Sequence, residues 1–297
     1  MQGVVIPISM VPGDSYIHRI NPLPKLIWVV GYLVLAFATR NPAVLLSMTL
    51  LGLVFVTISQ VWQQYLLVMR ILLPVSLMLI VLQSIAPAFP QPWEPITTVF
   101  GVLTIYQEGI YSGISLLLRI TSVTTIAMVM IMTSHPSDLF TSLQKIGMPY
   151  VMNFILTMTL QLIPILQQEF NIVLNAQKSR GMKGTGFSAV LPSMVPVFVG
   201  AIERVQQLSI SLESRAFGSA GDKTSYRDVA VHTKDYVVGL LGVLGAAGGL
   251  IWLITDKSLD WSHSLTFHPA FAITLFVGSF LGFAAFVVIM LVVIMKA

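Results

Sequence analysis

Asn175-Ala176-Gln177-Lys178-Ser179-Arg180-Gly181-Met182 and Leu212-Glu213-Ser214-Arg215-Ala216-Phe217-Gly218 close two long, imperfectly apolar segments within residues 151–218. Both endings carry Ser-Arg, then a small residue, then a large apolar one, and the two arginines lie 35 residues apart. In the first segment Asn153, Thr157, Gln161, Gln168, Asn171, Asn175 and Lys178 recur at steps of three or four once Pro164 fills the gap. That spacing is one polar stripe on an otherwise apolar helix. A straight helix of this length spans about 46 Å at 1.5 Å per residue, more than the ~30 Å hydrocarbon core. It is therefore expected to lie obliquely along the membrane surface or to bend at Pro164. In the second segment Leu191, Val195, Phe198, Ile202, Val205, Leu208 and Leu212 form an apolar stripe opposite Glu203, Gln206, Gln207 and Glu213, with Pro192 and Pro196 bending or starting it. A last-turn arginine meets the negative end of the helix dipole, and Gly181 suits a C-terminal cap; either arginine alone needs no more than this. Two matching endings ask for more. Arginine's rigid fork binds carboxylates and carbonyls of another protein, so Ser179, Arg180, Gly181, Ser214, Arg215 and Ala216 read as a docking element for a soluble cytoplasmic partner.

The surrounding chain gives that element its setting. The protein has 297 residues, of which 56% are hydrophobic and 9% charged, with a mean hydropathy of +0.86. Soluble domains carry roughly 25% charged residues, so an ordinary globular enzyme is excluded. Long continuous apolar runs exclude the short alternating segments of a β-barrel. The expected fold is all-α: a polytopic membrane protein with about six transmembrane helices and a cytoplasmic pair of long amphipathic helices. Residues 1–25 form an N-terminal cytoplasmic arm, 26–133 carry spans one to four, 134–235 hold the cytoplasmic helix pair, and 236–297 carry two further spans. Residues 87–107, rich in Pro, with Trp93 among them and free of Lys and Arg, read as a loop. No basic segment followed by a cleavage site suggests a signal peptide. No Cys is present, which removes disulfides and thiolate chemistry.

Orientation follows from the basic residues of the loops. With a cytoplasmic N-terminus and six single crossings, the inside holds Arg19, Lys25, Arg70, Lys145, all basic residues from Lys178 to Lys234, and Lys296, and the outside only Arg40 and Lys257. Both termini and residues 151–218 are thus expected on the cytoplasmic face of the cell membrane. The net charge of +4 reflects this bias and no nucleic-acid footprint, because no dense basic cluster exists. Arg119 falls midway through the fourth span. An arginine there is costly and faces a partner or a water cavity; with no acidic residue inside a predicted span, an interhelical anchor on backbone carbonyls is favoured over a substrate site.

Two rival functions are weaker. A membrane enzyme lacks a site: the five histidines are scattered, and none shares the i, i+4 spacing of a helical metal centre. His263 and His268 near Asp256 and Asp260 read better as a solvated external loop, so neither metal nor cofactor is expected. A secondary transporter would need inverted repeats and several intramembrane ionisable sites, where only Arg119 qualifies.

Ser15-x-x-His18-Arg19-x-x-Pro22-x-x-Lys25-Leu26, Glu108-Gly109, Leu118-Arg119, His135-Pro136-Ser137-Asp138-Leu139 and Gly147-Met148-Pro149 occur in an order that resembles the transmembrane T component of energy-coupling factor (ECF) transporters, the family that includes the cobalt transporter Q subunit. The two X-Arg-X signatures, Ser179-Arg180-Gly181 and Ser214-Arg215-Ala216, are its most specific part. Family members usually carry Ala-Arg-Gly; here Ser replaces Ala in both, and Ala216 replaces Gly in the second. The resemblance implies a non-catalytic subunit that bridges two ATP-binding-cassette ATPases to a substrate-binding membrane S component, for uptake of a vitamin or transition-metal ion. It also implies coupling helices whose arginines sit in grooves of the ATPase dimer. In keeping with this, no Gly-x-x-x-x-Gly-Lys-Ser/Thr phosphate loop occurs, and residues 181–186 read as a turn between helices.

Overall fold

Asparagine followed by proline starts the first two helices. Helix α1 (Pro22–Ala38) is capped by the Asn21 side chain, which accepts the Leu23 N–H at 3.2 Å. Helix α2 (Pro42–Ser59) is capped in the same way by Asn41, which accepts the Ala43 N–H at 2.9 Å. Proline at the first helical position has no N–H to leave unsatisfied, and the Asn oxygen takes one of the remaining orphan donors. The expected first span therefore starts four residues earlier than its apolar run. The structure is a computed structural model and describes residues 13–88, 94–99, 103–181, 187–219, 221, 232–255 and 268–296.

The chain continues as α3 (Trp62–Ile85), strands β1 (Pro95–Val99) and β2 (Leu103–Tyr106), α4 (Gln107–Thr133), α5 (Pro136–Lys145), α6 (Tyr150–Ser179), α7 (Phe187–Ser214), α8 (Thr233–Thr255) and α9 (Pro269–Lys296). The strands correct the expectation of a plain loop over residues 87–107: they pair antiparallel, Thr98 opposite Thr104. The reason lies in composition, since Ile96, Thr97, Thr98 and Val99 face Thr104 and Ile105, side chains that favour a pleated surface. Ile105 is fully buried against Val81, Ile110, Ala272 and Phe276, so the hairpin is tied down by core packing.

The chain divides into two units. One comprises Met1–His135 with Ala230–Ala297, the other Pro136–Val229. In the first, α4 lies against α1, α2 and α3, while α8 packs on α1 and α9 on α3. Its interior is dotted with hydroxyls: Ser84, Ser122, Thr125 and Thr133 are all at most 1% exposed. Thr125 Oγ1 donates to the Thr121 carbonyl at 2.6 Å and Thr133 Oγ1 to the Val129 carbonyl at 2.7 Å, so these polar atoms are satisfied within their own helix. The exterior carries Leu50, Val54, Ile71, Leu240, Leu244, Ile251, Phe280 and Val288, all large and exposed. An apolar belt outside and small polar residues between helices is the pattern of a helical membrane protein, because lipid supplies no hydrophobic force to pull helices together.

Small residues set the closest approaches. A Cβ on Gly109 of α4 would stand 2.3 Å from the Gln83 carbonyl oxygen of α3, and one on Gly113 would stand 2.9 Å from the Ile80 Cα. This is the close helix contact that a small-xxx-small pair permits. At one end of the unit Lys25 is only 8% exposed. Its Nζ donates to the Thr133 carbonyl at 3.0 Å, to Thr133 Oγ1 at 3.2 Å and to Ser134 Oγ at 3.0 Å, a cation on the C-terminal end of α4 where the helix dipole favours it.

Among the described residues six helices are long and apolar enough to cross a bilayer: α2, α3, α4, α6, α8 and α9 up to Met290. The count matches the expected six, but the membership differs. Helix α1 has 17 residues, the lower edge of the ~17–25 that span a core, because Asn21-Pro22 and the extended Thr39 bound it. Helix α6 qualifies because its polar stripe is narrow.

Candidate functional site

Both arginines stand at helix C-caps. Helix α6 ends at Ser179; the Arg180 N–H reaches the Ala176 and Gln177 carbonyls at 3.1 Å, and the Gly181 N–H reaches Lys178 O at 3.1 Å. Gly181 then turns left-handed at φ +89°. Helix α7 ends at Ser214 and repeats the pattern: the Ala216 N–H bonds the Glu213 carbonyl at 2.9 Å and the Phe217 N–H bonds Leu212 O at 3.0 Å. These two bonds are the pair that defines a Schellman cap, in which the residue after the cap adopts the left-handed conformation. Ala216 does so at φ +53°, although its Cβ makes that region cost about 1 kcal/mol. The small-for-small replacement of Gly by Ala at 216 therefore keeps the turn.

The consequence is geometric. Ala216 turns the chain back so that Phe217 faces the hairpin, and both Arg180 and Arg215 stand exposed at the tips. Ser179 and Ser214 contribute local bonds, Ser179 Oγ to Asn175 O at 3.0 Å and Ser214 Oγ to Ser211 O at 2.9 Å. Neither arginine tip is committed to an ion pair among the described residues.

Helices α6 and α7 run antiparallel as a hairpin. Phe217, just past α7, packs its ring 4.5 Å from that of Phe154 and 5.7 Å from that of Tyr150, at the start of α6. Midway, Arg204 of α7 hydrogen-bonds and ion-pairs with Glu169 of α6. Sequence reasoning missed this pair, yet a signal exists: Glu169 precedes Arg180 by 11 residues, and Arg204 precedes Arg215 by 11. The 35-residue offset that relates the tips also relates the partners of the ion pair. The arginines thus lie at opposite ends of the hairpin, roughly 33 Å apart at 1.5 Å per residue. No α6 residue is buried, and Ile155, Ile172, Phe198, Val205 and Ile210 are more than half exposed. At its other flank α6 meets α5, where Asn153 Nδ2 donates to Gln144 Oε1 at 2.5 Å.

Arg119 belongs to the first unit and has no part in the tips. Its Nε donates to the Ala36 carbonyl at 2.8 Å and its Nη2 to the Thr39 carbonyl at 2.7 Å, and the guanidinium sits 5.5 Å over the Phe37 ring. These acceptors are the unsatisfied carbonyls at the end of α1. Another contact missed from sequence is Asp235, 5% exposed, whose carboxylate accepts the Asn21 N–H at 3.0 Å and the His232 N–H at 2.9 Å, joining the N-terminal phrase to the start of α8. Residues 182–186, Asp256, Asp260 and His263 lie outside the described residues.

A predominantly helical chain with an apolar exterior, hydroxyl-lined helix contacts and six helices long and apolar enough to cross a bilayer among its described residues is a polytopic membrane protein. The family model described as cobalt transport protein, CbiQ, matches residues 13–226, and the chain belongs to that family. The matched segment includes both arginine tips. Among similar proteins is the energy-coupling factor transporter transmembrane protein EcfT of Bacillus selenitireducens, 29% identical over 255 residues, 80% of this chain and 92% of its own length. The EcfT of Listeria innocua is 26% identical over 257 residues, 82% of this chain and 96% of its own length. That of Bacillus subtilis is 26% identical over 239 residues, 76% and 89% of the respective lengths.

Proposed function

We propose that this chain is the transmembrane coupling (T) subunit of an ECF-type importer. It has no catalytic step of its own and carries the ATP-driven motion of two ABC-type ATPase subunits to a membrane S component that binds a vitamin or transition-metal ion. The observation that carries this reading is the repeated helix ending: two helices of one hairpin each end at an exposed arginine, followed by a left-handed residue whose N–H bonds back to the last turn. Such a tip offers a planar cationic fork on a stiff rod. A groove presenting carboxylates or carbonyls can grip it bidentately, and a rod transmits displacement along its axis because close-packed helices are not continuously deformable. Two equivalent tips related by one 35-residue repeat fit a partner with two equivalent sockets, as a dimer of ATPases provides. Arg119 serves as an intramembrane anchor that fastens the end of α1 to α4 and takes no part in substrate handling.

Affinity purification of the full chain from its native membranes is expected to bring down ATP-binding-cassette subunits and a small polytopic membrane protein; recovery of the chain alone from mildly solubilised membranes would sink the assignment.

The antiparallel hairpin constrains orientation. If α6 crossed the bilayer upright, Arg180 and Arg215 would emerge on opposite sides, and ATPases on one side could hold only one of them. The hairpin therefore lies along the cytoplasmic surface, its polar stripe toward water and its apolar side toward lipid, with both termini also cytoplasmic. Because the chain lacks cysteine, single cysteines at Gly181 and Ser219 can report this directly. Both are expected to react with a membrane-impermeant maleimide only in inside-out vesicles; labelling of the two from opposite sides means that α6 crosses.

A further inference from the structure

The first unit contains a crevice that the arginine tips do not explain. Helices α1 and α2 meet beside their connection, where the Tyr32 hydroxyl donates to the Met48 carbonyl. Toward the opposite end the Trp28 ring meets that of Phe55 edge-on, 5.6 Å between centroids, and beside this contact lies a cavity of about 300 Å³. Its walls are Trp28 of α1, Phe55 and Ile58 of α2, Val129 and Met130 of α4, and Leu241 of α8. All lie within two or three turns of the same end of the unit, the end at which α1 and α8 begin and α2 and α4 finish. The cavity is thus an apolar slot between helices, close to the end of their apolar runs.

At its mouth the character changes. A second hollow of about 570 Å³ shares Tyr16, Ile20 and Val238 with the slot and adds Arg19, His232, Lys234 and Asp235. The one carboxylate there is already occupied, since Asp235 accepts the Asn21 and His232 N–H groups. Arg19 and Lys234 are both exposed, and Lys234 Nζ stands 5.9 Å over the ring of Tyr16, itself 67% exposed. Two cations and an amphipathic aromatic side chain at the helix ends, directly above an apolar slot, match the chemistry of a phospholipid: phosphate at the rim, chain below.

We propose that this crevice binds one anionic phospholipid, with a single acyl chain between α1, α2, α4 and α8 and the headgroup phosphate held by Arg19 and Lys234. The lipid fills the space beside the Trp28–Phe55 contact, and it bridges the N-terminal phrase to the start of α8 at the point where Asp235 already joins them. An anionic headgroup is favoured over a zwitterionic one because the rim sets two exposed cations, Arg19 and Lys234, against the single buried carboxylate of Asp235, which leaves it net positive.

Native mass spectrometry of the full chain in detergent, titrated with phosphatidylglycerol or phosphatidylcholine, tests this. The expected result is one tightly held phosphatidylglycerol per chain, with a preference of about tenfold over phosphatidylcholine. Arg19→Gln with Lys234→Gln should erase the preference while leaving residual binding of both lipids. Leu241→Trp, a lipid-facing change that fills the slot without removing charge, should weaken both lipids at least fivefold. Equal retention of the two lipids by the unsubstituted chain overturns the proposal, as does an unchanged preference in the double variant. Displacement of the lipid by millimolar inorganic phosphate alone would mean a simple anion site and would overturn it too. A photo-crosslinker at Ile58 that captures residues 1–12 in place of lipid would make the chain's own N-terminus the occupant, with the same consequence.

Discussion

Reversing the charge at both tips, Arg180→Glu together with Arg215→Glu, is expected to abolish ATP-driven uptake by the assembled transporter and to release the ATPase subunits during purification. The size of the effect follows from what each arginine does. On its tip it is solvated; in a partner's groove it would be desolvated and paired. Removing one member of such a pair costs about 2–5 kcal/mol, and each 1.4 kcal/mol is tenfold in association. Each single reversal should therefore lower ATPase retention by tenfold or more, and the double variant should retain none. The caps themselves need no side chain at these positions, since their bonds run from backbone N–H groups to backbone carbonyls. Reversal forfeits the exposed dipole contribution of about 0.3–1 kcal/mol per tip, so the variant should insert and melt only slightly below the unsubstituted chain, which separates lost docking from lost folding. Full uptake with a stoichiometric complex in the double variant would remove the arginines from the coupling path.

Gly109→Ala is the change expected to cost the fold most per atom added. The new Cβ would lie 2.3 Å from the Gln83 carbonyl oxygen and 2.8 Å from the Ser84 Cα. Both are backbone atoms of α3, and no rotamer change can move them aside. Relief requires α3 and α4 to separate, which disturbs the adjoining contact of Gly113 with Ile80 and the cluster around Ile105 and Ile110. Overpacking of this kind costs about 1–3 kcal/mol and occasionally more. In detergent Gly109→Ala should melt well below the unsubstituted chain. Gly245→Ala is the matched control: that glycine also sits in an apolar helix, has nothing within 4 Å of the added carbon, and gains helix propensity. Equal melting temperatures for the two variants would mean that α3 and α4 do not approach as closely as described.

Much of the architecture could be read along the chain because membrane helices announce themselves locally. Apolar runs, and the Asn-Pro pairs at 21–22 and 41–42, place α1 and α2 to within a few residues. The polar stripe from Asn153 to Lys178 marked α6 as something other than an ordinary span, and the repeat of Ser-Arg marked both tips. The β-hairpin was less visible, since its strands are only five and four residues long and sit in a Pro-rich stretch. The ion pair between Glu169 and Arg204 was visible only through the 35-residue offset, because neither residue breaks the pattern of its own helix.

By itself the sequence determined that this is an all-α membrane protein, where most of its helices begin and end, and that two arginines stand at matching helix ends. Those features depend on composition and on bonds within a few residues, so they are written locally. Only the tertiary structure decided that α6 and α7 run antiparallel, which sets the two arginines at opposite ends of one hairpin. It alone decided that Ala216 accepts a left-handed turn, that Lys25 closes the end of α4, and that Gly109 brings α3 and α4 together. Each depends on which surfaces meet across tens or hundreds of residues. In a chain where more than half the residues are hydrophobic, many pairings would bury apolar surface equally well, and steric fit and a few polar partners choose among them.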